Sequence, residues 1–238
     1  MCFDTNPAAP TSVRRPSGTW ALVPLKSATR AKSRLAPALS AEQRRCVFYT
    51  MAQGVIAALH EARGIDTVAV VTARTELAEL ARRSGASVLL QAEDQGMSAA
   101  LSAALKQLQP MDLERVLMVP GDLPLITGHA VEEVLSADTG EEGIVAVPDR
   151  QRLGTNALLC RPPHVIAPCF GARSFERHLE AAHAAGVRAT VADIPALSLD
   201  LDCPEDLDIL DRHGGARAAA VFQALRSSEP AACASGAK

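Results

Sequence analysis

Short apolar runs recur along the chain, and most are followed by a stretch whose apolar positions fall three or four apart. The runs are "WALVPL", "TVAVVT", "ASVLLQ", "RVLMVP", "GIVAVP" and "NALLC". They are rich in Val, Leu and Ile and show no polar alternation, which predicts strands buried on both faces. Between them, Ser40 opens a long helix with Gln43 three residues on, the spacing of a capping box. Val47, Met51, Val55, Ile56 and Leu59 keep helical spacing inside it. Further helices are predicted over 75–84, 97–108, near 128–136 and over 174–185. Strand and helix in alternation imply an α/β fold with a mostly parallel sheet and helices on both faces. Such sheets bind ligands beyond the C-terminal ends of their strands. The loops after Leu25, Thr72, Val119 and Val147 are therefore the ones to inspect.

The ends of the chain fall outside this pattern. Residues 1–18 are polar and Pro-rich and read as a disordered arm; 19–213 form one domain; 214–238, Ala-rich after Gly214 and Gly215, read as a flexible tail with room for one short helix. With 238 residues, 48% of them hydrophobic, the chain can bury one sizeable core. A formal net charge of −3 argues against a general nucleic-acid binder. No apolar run is long enough to span a membrane, and no apolar leader precedes the first strand. Cys2, Cys46, Cys160, Cys169, Cys203 and Cys233 are scattered without a C-x-x-C pair. Together these features predict a soluble cytoplasmic protein. The histidines show no catalytic or metal-ligand spacing, so no general base is expected.

The first loop to inspect is "LVPLKSATRAKSRLAP", which places Lys26, Arg30, Lys32 and Arg34 just after a strand. Dinucleotide and P-loop motifs cradle phosphates with backbone N–H groups and need glycine there. This loop has none, so an anion would be held by side chains, Lys as a point charge and Arg as a planar fork. The same residues also read as a solvated basic loop.

Carboxylates come next. In "VLMVPGDLPLI", Asp122 follows a strand directly, at the ligand edge, with Gly121 allowing a tight exit and close ligand approach. It equally reads as a turn residue. In "LSLDLDCPEDLDIL", alternation puts Asp200 and Asp202 on one face of an extended segment. Two like charges so close resist ionising without a cation between them, which Mg²⁺ would supply. Asp202 could instead cap a helix opened by Pro204. Gly154-Thr155-Asn156 enters a strand, and Gly171 and Ser174 precede a helix, a plausible oxyanion site or an ordinary N-cap.

The order of these pieces resembles the 2-phospho-L-lactate guanylyltransferase family of coenzyme F420 biosynthesis, which includes phosphoenolpyruvate and 3-phospho-D-glycerate guanylyltransferases. The matching stretches are "VPLKSATRAKSRLAP", "PGDLPLI", "PDR" with "GTNALL", "FGARSF" and "LDLDCPEDL", spanning about residues 20–212. The resemblance implies a single-domain Rossmann-like nucleotidyltransferase fold. It implies an enzyme that joins GTP to a phosphorylated three-carbon acid with release of pyrophosphate, and a downstream transferase that consumes the unstable product. By matching positions, Asp122, Asp200 and Asp202 would hold Mg²⁺, expected as two ions. Lys26, Thr155, Gly171 and Ser174 would bind the acceptor, and Lys32, Arg34, Gly96 and Ser98 the GTP. Two departures stand out. Where the family often reads D-R-x-G-T-G-T, Arg152 and Leu153 replace Gly and Thr. That implies a bulkier, more cationic pocket rim and adds weight to 3-phospho-D-glycerate as acceptor. Where it often reads G-L-N-A-A-L, Ser98 replaces Asn, which loosens the expectation of guanine over another base. Other readings are a sugar-phosphate or molybdopterin-type nucleotidyltransferase, which usually carries a Gly-rich first loop, and a non-catalytic small-molecule-binding α/β regulator.

Overall fold

In the computed structural model, which describes residues 18–26 and 32–227, the apolar runs become the strands of one sheet. They are β1 (Thr19–Pro24), β2 (Thr67–Thr72), β3 (Ser87–Leu90), β4 (Arg115–Met118), β5 (Gly143–Pro148), β6 (Thr155–Arg161) and β7 (Arg188–Val191). The helices are α1 (Ala41–Glu61), α2 (Thr75–Arg83), α3 (Met97–Leu108), α4 (Gly128–Ser136), α5 (Ser174–Ala184), the single turn α6 (Pro195–Ser198), α7 (Pro204–His213) and α8 (Gly215–Ser227). The expected capping box closes the start of α1: Ser40 Oγ accepts the Gln43 N–H, and Gln43 accepts the Ser40 N–H.

Strand order is β3-β2-β1-β4-β6-β5-β7. All neighbours run parallel except β6, which is antiparallel to both β4 and β5. Because β6 is reversed, its first residues lie at the edge where β4 and β5 end; Thr155 pairs with Pro148.

Burial on both faces follows from the strand pleat. Ala21, Val23, Val68, Val70, Leu117 and Val145 face α1, α2 and α4. Leu22, Ala69, Val71, Val116, Met118 and Leu158 face α3 and α5. A third, smaller cluster joins Leu35 and Leu39, Val47 and Met51 of α1, Leu199 and Leu201, Leu210 of α7, and Ala218 and Val221 of α8. The flexible tail expected after Gly214 is therefore corrected over Gly215–Ser227: this stretch is a helix laid along α1, because Ala218 and Val221 give it an apolar stripe to bury. The expected N-terminal arm, apart from residue 18, and residues 228–238 lie outside the described residues. Among the described residues no helix is long and apolar enough to cross a membrane.

Candidate active site

Beyond Met118 the chain leaves β4 through Pro120-Gly121-Asp122. A Cβ on Gly121 would stand 2.3 Å from Leu25 Cδ2, where β1 also leaves the sheet, so the tip of Leu25 would have to shift to admit one. The acidic segment 199–203 docks on this exit through the Leu201 N–H, which donates to the Asp122 carbonyl at 3.3 Å. Leu199 and Leu201 are buried in the third cluster, so the alternation read from the sequence leaves Asp200 and Asp202 lining the cavity. Asp202 is not a helix cap. The start of α7 is closed by Asp206, whose Oδ2 accepts the N–H groups of Asp202 and Cys203, each at 2.9 Å. Arg150 reaches the other oxygen of Asp206 at 3.3 Å, and its N–H donates to the Ser198 carbonyl at 2.8 Å. Those bonds tie the β5–β6 loop to the acidic segment.

Lys32 lies between two of the carboxylates. Its Nζ is 2.6 Å from Asp122 Oδ2 and 2.7 Å from Asp202 Oδ1, with only 5% of its side chain exposed. Burial alone would lower the ammonium's pKa, but Asp122 and Asp202 raise it above its ordinary value. Asp200 makes no ion pair among the described residues. Burial, followed by repulsion from Asp122 and Asp202, pushes it up to about 6. Three carboxylates thus share one buried ammonium. As a donor set of hard oxygens carrying excess negative charge, they fit a divalent cation chemically. Among the described residues no three acidic, imidazole or thiol groups stand at ligating distance of one another, since Lys32 sits between Asp122 and Asp202.

The carboxylates form one wall of a cavity of about 540 Å³. Thr155, Gly171 and Ser174, which the structure brings together as the sequence suggested, line the same cavity. Ser174 is the first residue of α5, and its Oγ accepts the Thr155 N–H at 2.9 Å. It therefore reaches across to β6 and does not cap its own helix. The β5–β6 loop closes on Asp149, whose carboxylate accepts the Leu153 N–H at 2.9 Å and the Gly154 N–H at 2.7 Å. A Cβ on Gly154 would stand 2.7 Å from Asp149 Oδ2.

The loop cations sort differently from their order in the sequence. Arg34 lines the cavity with Thr155 and Ser174. Lys26, expected beside those residues, instead occupies a separate cleft with Thr72, Arg74, Glu93 and Met97, and lies near Gly96. Residues 27–31, including Arg30, fall outside the described residues. Gly96 has a φ of 100°, which favours glycine. Ser98 donates to the Phe170 carbonyl at 3.1 Å, supporting the loop that leads to Gly171. The four residues expected to hold GTP therefore do not form one cluster.

Arg152 is the clearest departure from expectation. It has a φ of 56°, in the left-handed region where the resembling family often has Gly. Its guanidinium pairs with Asp193 and lies 5.3 Å over the Phe175 ring. Gln151 and Leu153 line the cavity and Arg152 does not, so the charge expected there from Arg152 is corrected; the cations that line it are Arg34 and Arg173. One site residue had no signal in the motifs. His178 is fully buried, with Nδ1 at 2.9 Å from Thr155 Oγ1 and Nε2 accepting the Cys169 N–H at 2.9 Å. Burial, followed by the nearby Arg177 cation, pushes its pKa down to about 4. Its position one helical turn after Ser174 was the available clue.

Comparison with known proteins agrees with this architecture. A putative nucleotide-diphospho-sugar transferase from Desulfovibrio desulfuricans G20 superimposes with a TM-score of 0.70, covering 89% of this chain and 98% of its own at 16% identity. That likeness concerns the fold. The phosphoenolpyruvate guanylyltransferase of Sphaerobacter thermophilus is 37% identical, covering 82% of this chain and 93% of its own length. The 3-phospho-D-glycerate guanylyltransferase of Colwellia psychrerythraea is 30% identical, covering 79% and 89%. The family model described as guanylyl transferase, CofC like, matches residues 19–229, taking in α8 as well as the sheet, and the chain belongs to that family.

Proposed function

We propose that this chain transfers the guanylyl group of GTP to the phosphate of a phosphorylated three-carbon acid and releases pyrophosphate, as a step of coenzyme F420 assembly in the cytoplasm. The observation that carries this reading is one cavity lined both by three carboxylates, Asp122, Asp200 and Asp202, and by Thr155 and Ser174. Phosphoenolpyruvate is the first acceptor to expect, ahead of 2-phospho-L-lactate and 3-phospho-D-glycerate. Arg152, which favoured 3-phospho-D-glycerate, is turned to Asp193 and Phe175, and the phosphoenolpyruvate relative shares 37% identity against 30% for the phosphoglycerate relative.

Asp122, Asp200 and Asp202 would hold Mg²⁺, two ions in this reading. When bound there, Mg²⁺ neutralises phosphate oxygens and stabilises charge in the transition state. Thr155, Gly171 and Ser174 bind the acceptor. Lys32 and Arg34 supply cations toward the triphosphate, and the cleft beside Lys26 and Gly96 takes the nucleoside end. An acceptor phosphate oxygen attacks the α-phosphorus of GTP in line. The bond from that phosphorus to the bridging oxygen breaks, and its electron pair leaves with pyrophosphate. The attacking phosphate has a second pKa of about 6 and is largely dianionic at neutral pH, so no general base is needed. The task left to the protein is to hold two anions together.

The test is a pyrophosphate-release assay with Mg²⁺ that crosses GTP, ATP and CTP with the three acids. The downstream transferase is included to draw off the unstable diphosphate. GTP with phosphoenolpyruvate should give the fastest release. Silence across every pair would overturn the reading.

A further inference from the structure

Thr155 and Ser174 line the cavity proposed for the acceptor, and a protein polar group already faces each hydroxyl. Ser174 Oγ accepts the Thr155 backbone N–H at 2.9 Å. The Thr155 hydroxyl faces His178 Nδ1 at 2.9 Å. The opposite ring nitrogen, Nε2, lies 2.9 Å from the backbone N of Cys169, which can only donate. Nε2 must then carry a lone pair, so the proton of the neutral ring is on Nδ1 and is donated to Thr155 Oγ1. With a donor already on its oxygen, the Thr155 hydroxyl is left to donate its own proton, and an anion in the cavity is the acceptor that suits it.

The ring has little freedom to do otherwise. His178 is fully buried and packs edge-on against Phe170, with ring centroids 5.0 Å apart. Phe170 is fixed in turn by Ser98, which donates to its carbonyl at 3.1 Å. A swap of the ring proton to Nε2 would set two donors, that proton and the Cys169 N–H, against each other.

We propose that His178 is a positioning residue for acceptor binding: through its Nδ1–H it commits the Thr155 hydroxyl to donate to the anionic acid. The proposal rests on Thr155 being an acceptor contact, and the test separates failure of that reading from failure of this one. Thr155→Val, which keeps shape and removes the hydroxyl, should raise KM for phosphoenolpyruvate roughly tenfold to a hundredfold, the range for a lost hydrogen bond to a charged group. KM for GTP should not move. His178→Gln keeps an amide oxygen for the Cys169 N–H and loses the Nδ1 donor, and should raise the same KM comparably. His178→Asn keeps a donor where Nδ1 stands and should recover most of that loss. In the double variant with Thr155→Val, His178→Gln should add nothing further.

A measurement without variants stands beside these: the ¹⁵N spectrum of histidine-labelled native protein should show the Nδ1-protonated tautomer at His178. It decides the point even if His178→Gln fails to fold. The proposal falls if that spectrum shows the Nε2 tautomer. It also falls if His178→Gln folds with a native KM for phosphoenolpyruvate, or if the double variant is additive. Should Thr155→Val leave that KM unchanged, the acceptor role of Thr155 falls first and takes this proposal with it.

Discussion

The two edges of the sheet each carry a cluster of partly buried charge, and the clusters differ in balance. At the edge where β4 begins and β6 ends, Arg115 and Arg161 meet Asp138 and Glu114. Asp138 Oδ2 accepts from Arg115 at 2.8 Å and from Arg161 at 2.7 Å, while Arg161 also pairs with Glu114. Arg115 further donates to Thr19 Oγ1 and the Leu135 carbonyl. Cations and carboxylates match there, and the cluster locks the starts of β1 and β4 to the end of β6. At the opposite edge, Asp122 and Asp202 pair with the ammonium of Lys32, Asp200 has no ion pair among the described residues, and Arg34 and Arg173 line the same cavity without pairing to any of the three. A balanced cluster has no electrostatic need for a ligand, whereas an unbalanced one is relieved by a cation. The comparison sets charge that the fold satisfies by itself against charge that it leaves without a partner, even though both clusters hold short ion pairs.

Variants at the two edges should therefore fail in different ways. The largest effect is expected for Asp122→Asn: pyrophosphate release should fall by more than about 100-fold, with the thermal midpoint little changed. Near-native turnover would remove Asp122 from the chemistry. Asp138→Ala should do the reverse. It leaves two guanidiniums short of a partner and should cost about 3 kcal/mol of stability in urea unfolding, while the folded fraction keeps its kcat. A loss of kcat without a loss of stability would erase the distinction between the edges.

The next effect depends on pH. The folded pKa of Asp200, about 6, lies above its unfolded value. Its penalty is absent below the unfolded pKa and grows as pH rises through the folded one, so without metal it opposes folding at neutral pH. Asp200→Asn should then stabilise the metal-free protein at pH 7 by about 1–2 kcal/mol, after allowing for solvent screening, with no gain near pH 4. His178 has the opposite sign, because its folded pKa of about 4 lies below its unfolded value. The stability of Asp200→Asn should therefore fall as pH drops from about 6.5 toward 4. A flat profile in that variant would mean that the imidazole is not held neutral by the fold. The smallest effect is expected for Arg152→Gly. Relief of a left-handed backbone, worth about 1 kcal/mol, offsets the lost contacts to Asp193 and Phe175. Both the thermal midpoint and the KM for phosphoenolpyruvate should stay near native; a tenfold rise in KM would return Arg152 to the rim.

Which of these features could be read from the sequence follows from how local each one is. The strands from β1 to β6 are runs of β-branched and aliphatic residues, and the pattern located all six. β7, "RATV", is a short edge strand exposed at Arg188, Ala189 and Val191, with no apolar run to reveal it. The helix α8 reads as an Ala-rich tail until α1 supplies a surface for Ala218 and Val221. Asp122, Asp200 and Asp202 stood out because carboxylates after apolar runs are anomalous locally. The sorting of Lys26 from Arg34 depends on which tertiary neighbours each meets, which loop composition does not encode. The tie from His178 to Thr155 spans 23 residues and two elements. Arg152 looked like added charge at the pocket because its partner, Asp193, is distant in sequence.

The reversal of β6 also bears on how this enzyme family could diversify. Because that strand starts where β5 finishes, the two are joined by the short turn 149–154, which passes directly from one to the other at the cavity mouth. The turn closes on its own Asp149 and meets the acidic segment chiefly through Arg150. Exchange of these six residues between relatives would replace the cavity lining at Asp149, Gln151, Leu153 and Gly154 while leaving both flanking strands as they are.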